Sequence, residues 1–369
     1  MGNFITSIKV NHIFHLENFC IPISENEKKH LIITGKNGSG KTILLNAIVE
    51  HLSKVCNDKT LSFLDYEKHL ESCRTRLQQY KVVGDSQKII SNQDSIELYK
   101  TWIEEVYGKV ELSFHDIYSI PKDFLSQDFI IAYYADERKS LFVEPKNPVK
   151  PDLKMKTDLK HNKVDQFLNF MVDCKVQEAL ARNEGKTEDA DYIRQWFVGF
   201  RNILRQIFDD TTLELDFNYK DYSFLIQTRG KSFKFTELSA GYSAALDIVA
   251  DLILKMQSQN NVVRAYEKEG IVLIDEIETH LHLELQRVIL PILTTIFPNI
   301  QFVVTTHSPF ILNSLENAVA FDLEHREPIE DLTDYSYEAL AEGYFGVRTD
   351  SSDCLLYTSP SPRDYAASR

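Results

Sequence analysis

Residues 31–42 read Leu31-Ile32-Ile33-Thr34-Gly35-Lys36-Asn37-Gly38-Ser39-Gly40-Lys41-Thr42. An apolar run closes on a complete G-x-x-x-x-G-K-[ST] loop, and a stretch carrying Ile43, Leu44, Ala47, Ile48 and Leu52 on one helical face follows it. Strand, loop and helix in that order are the setting in which this loop cradles phosphates. Its glycines let consecutive backbone N–H groups point at a triphosphate, and the helix N-terminus adds partial positive charge. Lys41 is expected to reach the β- and γ-phosphates, and the Thr42 hydroxyl to ligate Mg²⁺. The expectation is an α/β fold with an ATP site at Gly35, Lys36, Asn37, Gly38, Ser39, Gly40, Lys41 and Thr42.

Downstream segments supply what such a loop needs. Ile271-Val272-Leu273-Ile274 closes on Asp275-Glu276. Four apolar residues in a row predict a buried parallel strand, and the carboxyl ends of such strands are where α/β sheets place their sites. Asp275 is expected to hold Mg²⁺ through its water shell. Glu276 is expected to polarise the attacking water as general base. Thr305-Thr306-His307-Ser308-Pro309 follows a second buried strand over 301–304. His307 there is a candidate γ-phosphate sensor, through an imidazole nitrogen. Leu238-Ser239-Ala240-Gly241-Tyr242 opens a helix with apolar residues at 245, 248, 249, 252, 253 and 256. Ser239 suits an N-cap, Gly241 lets backbone come close, and the helix N-terminus is an anion site.

The remaining elements follow from periodicity. Residues 4–23 alternate as two or three antiparallel strands. Apolar positions from Leu61 to Tyr80 predict a short amphipathic helix, too short for a coiled-coil arm. Strands are expected over 109–114 and 129–134, the second buried, and helices over 164–182 and 190–208 as a lid packed on the main domain. A hairpin is expected over 213–217 and 222–227. The expected organisation is 1–54 for the first strands and the phosphate loop, 55–235 for an insertion with core strands and the lid, and 236–350 for the remaining motifs. Residues 351–369 resemble translated sequencing-adapter read-through and are expected to be a non-native or disordered tail.

Composition bounds the rest. The chain has 369 residues, 43% hydrophobic, with a net charge of −14. No run approaches the roughly 20 apolar residues of a membrane span, so no membrane partner is expected. Cys20, Cys56, Cys73, Cys174 and Cys354 are scattered, with no C-x-x-C pair, which favours reduced thiols and a cytoplasmic location. DNA as a partner finds no support in an acidic net charge.

The order of phosphate loop, Leu238-Ser239-Ala240-Gly241, apolar-Asp275-Glu276 strand and strand-end His307 resembles the ABC-type ATPase heads, including the SMC and RecF groups. Ile274-Asp275-Glu276-Ile277-Glu278-Thr279-His280-Leu281-His282, with Phe297-Pro298-Asn299-Ile300 and Thr305-Thr306-His307-Ser308-Pro309, is similar to the bacterial RecF/OLD-like AAA ATPases of phage defence. The likeness covers roughly residues 4–345. It implies a P-loop NTPase head with a mixed sheet, an N-terminal antiparallel layer and a helical lid insertion. It further implies Walker A at 35–42, Walker B at Asp275 and Glu276, a switch histidine at His307, and a signature at Ser239 and Gly241. Two such heads would sandwich ATP and Mg²⁺ as a homodimer, gating an effector nuclease or another defence protein; a RecF-like DNA-repair clamp is the alternative. Ala240 and Tyr242 depart from the signature pattern, and Gln127 is a poor Q-loop residue, leaving Arg138 in Asp136-Glu137-Arg138 as a charge sensor.

Overall fold

The computed structural model describes residues 2–138, 142–151, 159–257 and 266–329, so the tail expected over 351–369 and Cys354 lie outside the described residues. At the N-terminus, β1 (Ile5–Ile13) pairs antiparallel with β2 (Leu16–Pro22), and β4 (Val110–Phe114) joins the other edge of β1. Alternation along β1 and β2 sends Ile8, Val10 and Ile21 inward, where they meet Leu44, Leu45 and Ile48 of α1 (Lys41–Asn57).

The central sheet has six strands in the order β12 (Glu327–Ile329), β11 (Ala318–Asp322), β3 (His30–Thr34), β10 (Ile300–Thr305), β9 (Glu269–Ile274) and β5 (Phe129–Tyr134). All neighbours run parallel except β11 and β12, so the sheet is mixed. β3, β5 and β10 are buried at every position, which explains their unbroken apolar runs. Successive residues feed opposite cores. Leu31, Ile33, Ile131, Leu273 and Val303 face the antiparallel layer and α1, with α4 (Ile120–Leu125) at its rim. Ile32, Ala132, Val272, Phe302 and Val304 face a helical layer.

That helical layer contains the expected lid as a pair, α5 (Phe167–Asn183) and α6 (Thr187–Phe208). Phe167, Phe170, Phe200 and Leu204 bury the pair against α7 (Ala240–Met256) and α8 (Leu283–Ile296). The short α9 (Pro309–Leu312) completes this side through Ile311 and Leu312. The expected hairpin is a three-stranded sheet, β6 (Glu214–Asn218), β7 (Ser223–Thr228) and β8 (Lys231–Lys234).

The insertion after α1 differs from expectation. The expected short helix is α2 (Tyr66–Val83), and a longer helix, α3 (Ser86–Tyr107), returns alongside it. Asn92 Nδ2 donates to Cys73 O at 2.6 Å, and the Tyr66 ring lies 5.4 Å from that of Trp102. Partners that move in opposite directions along the chain make this an antiparallel hairpin, with Leu70, Cys73 and Ile96 as its small core. The four described cysteines are free.

Candidate functional site

Strand register brings the motifs together. Thr305 pairs with Ile33, Val304 with Ile274, and Tyr134 with Ile274, so the parallel strands β3, β10, β9 and β5 finish level at their carboxyl ends. Residues 35–42, Asp275 with Glu276, His307, and the segment leading to Arg138 therefore leave the sheet along one edge. β10 lies between β3 and β9, which seats His307 between the glycine loop and the carboxylates.

The loop has the conformation that its glycines permit. Gly35, Gly38 and Gly40 have φ of 141°, 83° and 98°. Gly40 is the N-cap of α1, and a Cβ there would stand 2.9 Å from Leu16 Cδ1, so the loop sits close on β2. Lys41 is buried, and its ammonium folds back on the loop, donating to Gly35 O at 2.8 Å and Lys36 O at 3.1 Å. Burial lowers its pKa, and the nearby Glu276, Glu278 and Asp275 carboxylates oppose that shift. Lys36, Asn37, Gly38 and Thr42 are exposed, and Ser39 is half-buried with an Oγ that has no partner. Lys36 pairs with Glu324 at 2.8 Å.

The carboxylates are held differently from each other. Asp275 is fully buried; its Oδ1 accepts from Thr305 Oγ1 at 2.5 Å, while its Oδ2 has no hydrogen-bond partner. Glu276 is half-buried, its backbone N–H donates to Thr305 Oγ1 at 2.8 Å, and its φ is +43°, in the left-handed region. Residues other than glycine adopt that region only when neighbours hold them there. Arg138 does so: its Nη2 donates to Asp275 O at 3.2 Å and to Glu276 O. Burial lowers the Arg138 pKa, against the Glu278, Asp247 and Asp275 carboxylates. His307 Nε2 lies 3.9 Å from Glu276 Oε1. Burial, then the Lys41 charge, lower the imidazole pKa, which favours the neutral ring.

Ser239 and Gly241 stand at the start of α7. Ser239 occupies the N-cap, but its side chain makes no capping bond and is exposed, so the expected cap is present in backbone only. Gly241 is buried, and a Cβ there would lie 2.8 Å from His280 O. The turn after Glu276 thus packs on the start of α7 within one chain. His282 caps α8, its Nδ1 accepting from Leu285 N at 3.2 Å. Thr305 and Glu278 lie in motif stretches that assign them no role, and their contacts, like those of Arg138 with the backbone, emerge only once the strands are aligned.

The family model described as "AAA domain, putative AbiEii toxin, Type IV TA system" matches residues 87–313. "Retron Vc95 probable ATPase" from Vibrio cholerae serotype O1 biovar El Tor is 25% identical over 93% of this chain and 77% of its own length. "Septu protein PtuA" from Bacillus mycoides is 34% identical over 36% of this chain and 20% of its own length. Solved structures similar to it include an SmcHead bound to the C-winged helix domain of ScpA, at 13% identity and TM-score 0.43 over 86% of this chain and 94% of that one. An SMC head domain from Thermotoga maritima follows at 12% identity and TM-score 0.38, over 86% of this chain and 94% of that one. With most of the sheet edge, its two carboxylates and His307 inside the matched span, the chain belongs to the AAA-domain family of putative AbiEii toxin type.

Proposed function

We propose that the chain is a Mg²⁺-dependent ATPase head that binds ATP on residues 35–42 and hydrolyses it with Glu276 and His307, between two copies of itself. The observation that carries this is the meeting of Lys41, Asp275, Glu276 and His307 at one edge of adjacent parallel strands.

The residues present fit a magnesium ion. Asp275 Oδ2 is buried without a partner, which is costly unless a cation or its water fills the place. An ion there would be held by this carboxylate, the Thr42 hydroxyl, water and phosphate oxygens. When bound, Mg²⁺ would neutralise charge on the phosphates. Backbone N–H groups of the loop would take the phosphate oxygens, and Lys41 would exchange two carbonyl acceptors for anionic ones. Glu276 would accept the proton of the attacking water, and neutral His307 would donate a hydrogen bond to the γ-phosphate.

The exposed, side-chain-uncapped start of α7 supports a second role. An anion-binding helix N-terminus open to the outside at Ser239 suits the γ-phosphate of a partner head, with Ser239 completing the partner's site and buried Gly241 letting the helix start pack on the turn at His280. The retron and Septu relatives support a place in phage defence, where turnover would gate an effector or partner protein. Lys41→Ala should abolish ATP binding in an equilibrium titration, because it removes the main charge facing the triphosphate. Tight binding by that variant would contradict the site.

A further inference from the structure

Glu278 lies in the Ile274–His282 stretch that carries the family resemblance, and no role attaches to it there. It follows β9 by four residues, in the turn that carries Glu276. Its two carboxylate oxygens take two different donors: Oε1 accepts from the His307 backbone N–H, and Oε2 from Thr306 Oγ1 at 2.8 Å. Thr306 is itself fully buried, and its N–H donates to Ile33 O at 3.0 Å, two residues before the glycine loop. Its hydroxyl oxygen already accepts from Ser308 N at 2.9 Å, so the hydroxyl proton is free to point at Glu278. On the other side, Thr279 Oγ1 donates to Glu276 Oε2 at 3.3 Å. The Glu278 carboxylate thus ties the end of β10 to the turn after β9, and Thr306 carries that tie on to the end of β3.

The side chains of Glu276 and His307 do not hydrogen-bond to each other; they approach to 3.9 Å. Something else must fix their separation. Glu278 bonds the backbone of His307 and lies two residues from Glu276. Burial raises its pKa, and the hydrogen bonds from the His307 N–H and Thr306 Oγ1 oppose that shift.

We infer that Glu278 is the positioning residue of the hydrolytic site, a two-point clamp that sets His307 against Glu276 by holding the end of β10 to the turn after β9. This rests on the ATPase function proposed above. What the clamp needs is reach and two polar atoms, not charge. A glutamine keeps both: its amide oxygen can accept from His307 N–H, and its NH₂ can donate to Thr306 Oγ1 once that hydroxyl turns its own proton away. An aspartate keeps the charge but falls one methylene short of spanning both donors. If Glu278 instead acted through its charge, on a proton or on Lys41, the order would reverse.

The test is steady-state ATPase kinetics of the full chain as wild type, Glu278→Gln, Glu278→Asp and Glu276→Gln. Glu278→Gln should keep at least about a third of wild-type kcat, and Glu278→Asp should lose about tenfold or more, with KM for ATP within about threefold in both. Glu278→Asp turning over as fast as Glu278→Gln or faster overturns the clamp. So does a loss that appears in KM with kcat unchanged. Both substitutions conserve polarity, and a thermal melt of each checks that the fold is kept. A wild type that fails to hydrolyse ATP would overturn the proposed function and this inference together. A wild type that turns over while Glu276→Gln does not, with the Glu278 order reversed, overturns the clamp alone.

Discussion

Glu276 occupies a backbone conformation that a glutamate does not choose, and Arg138 is what holds it there. The guanidinium takes both carbonyls of the Asp275-Glu276 pair, so the direction of the Glu276 side chain depends on a residue far away in sequence, at the exit of β5. Arg138→Ala should therefore reduce kcat by about 10- to 100-fold, the cost of misplacing a catalytic group by about 1 Å, with little change in the affinity for ATP. Stopped-flow hydrolysis beside a binding titration separates the two. Equal losses in binding and turnover would assign Arg138 to the phosphates instead. At this scale the sequence declared Lys41, Asp275, Glu276 and His307, because their roles are tied to local spacing. It named Arg138 only as a charge near the site, and it left Glu278 and Thr305 without roles, because their partners are backbone atoms and hydroxyls on other strands.

Among the elements, the strands with unbroken apolar runs were legible, since burial on both faces leaves that pattern. β8 was not: Lys231-Ser232-Phe233-Lys234 is charged, half-exposed edge backbone with no apolar run to announce it. α3 was missed because its only described buried positions are Asn92 and Ile96, while Tyr99 and Trp102 meet α2 through the rings of Tyr66 and His69. The junction of β3 with β10 has its own lock. His30 Nδ1 accepts from Phe302 N at 3.0 Å, and burial lowers the imidazole pKa to about 4. The unfolded chain, with a histidine near 6.5, binds that proton first, so the neutral ring stabilises the fold above pH 6.5, and this stability is lost as pH falls through 6.5 towards 4. A shift of this size corresponds to about 3 kcal/mol. His30→Asn keeps an acceptor and cannot titrate, so its stability should gain on wild type by about that amount between pH 7.5 and 4. Urea denaturation at several pH values measures it; parallel pH profiles would show that His30 is not the group responsible.

For the whole molecule, the fold class was readable because the motifs fix which strands must be parallel and where they end. The two-core arrangement, with the antiparallel layer on one face of the sheet and α5 to α8 on the other, follows from side-chain alternation that single apolar runs hide. Assembly is the next level. Ser239 is exposed and its side chain caps nothing, so Ser239→Arg should leave a folded monomer that still binds ATP. The same bulky cation should block ATP-dependent dimerisation and hydrolysis. Wild-type turnover per chain should rise with protein concentration over the range in which sedimentation shows dimers forming. A Ser239→Arg protein that hydrolyses ATP normally, at a rate independent of concentration, would place the whole site within one head.

Everything proposed here depends on Glu276 taking the proton of the attacking water while the other groups hold ATP. Glu276→Gln preserves the shape of the side chain, the Arg138 contact with the backbone carbonyl and the loop around Lys41. Single-turnover hydrolysis of bound ATP by this variant, beside an equilibrium titration of ATP binding, tests the claim directly. The expected result is binding close to wild type with hydrolysis slowed by about 10²- to 10⁴-fold. Hydrolysis within about threefold of wild type would contradict it, because a base worth a few-fold does not account for the chemistry.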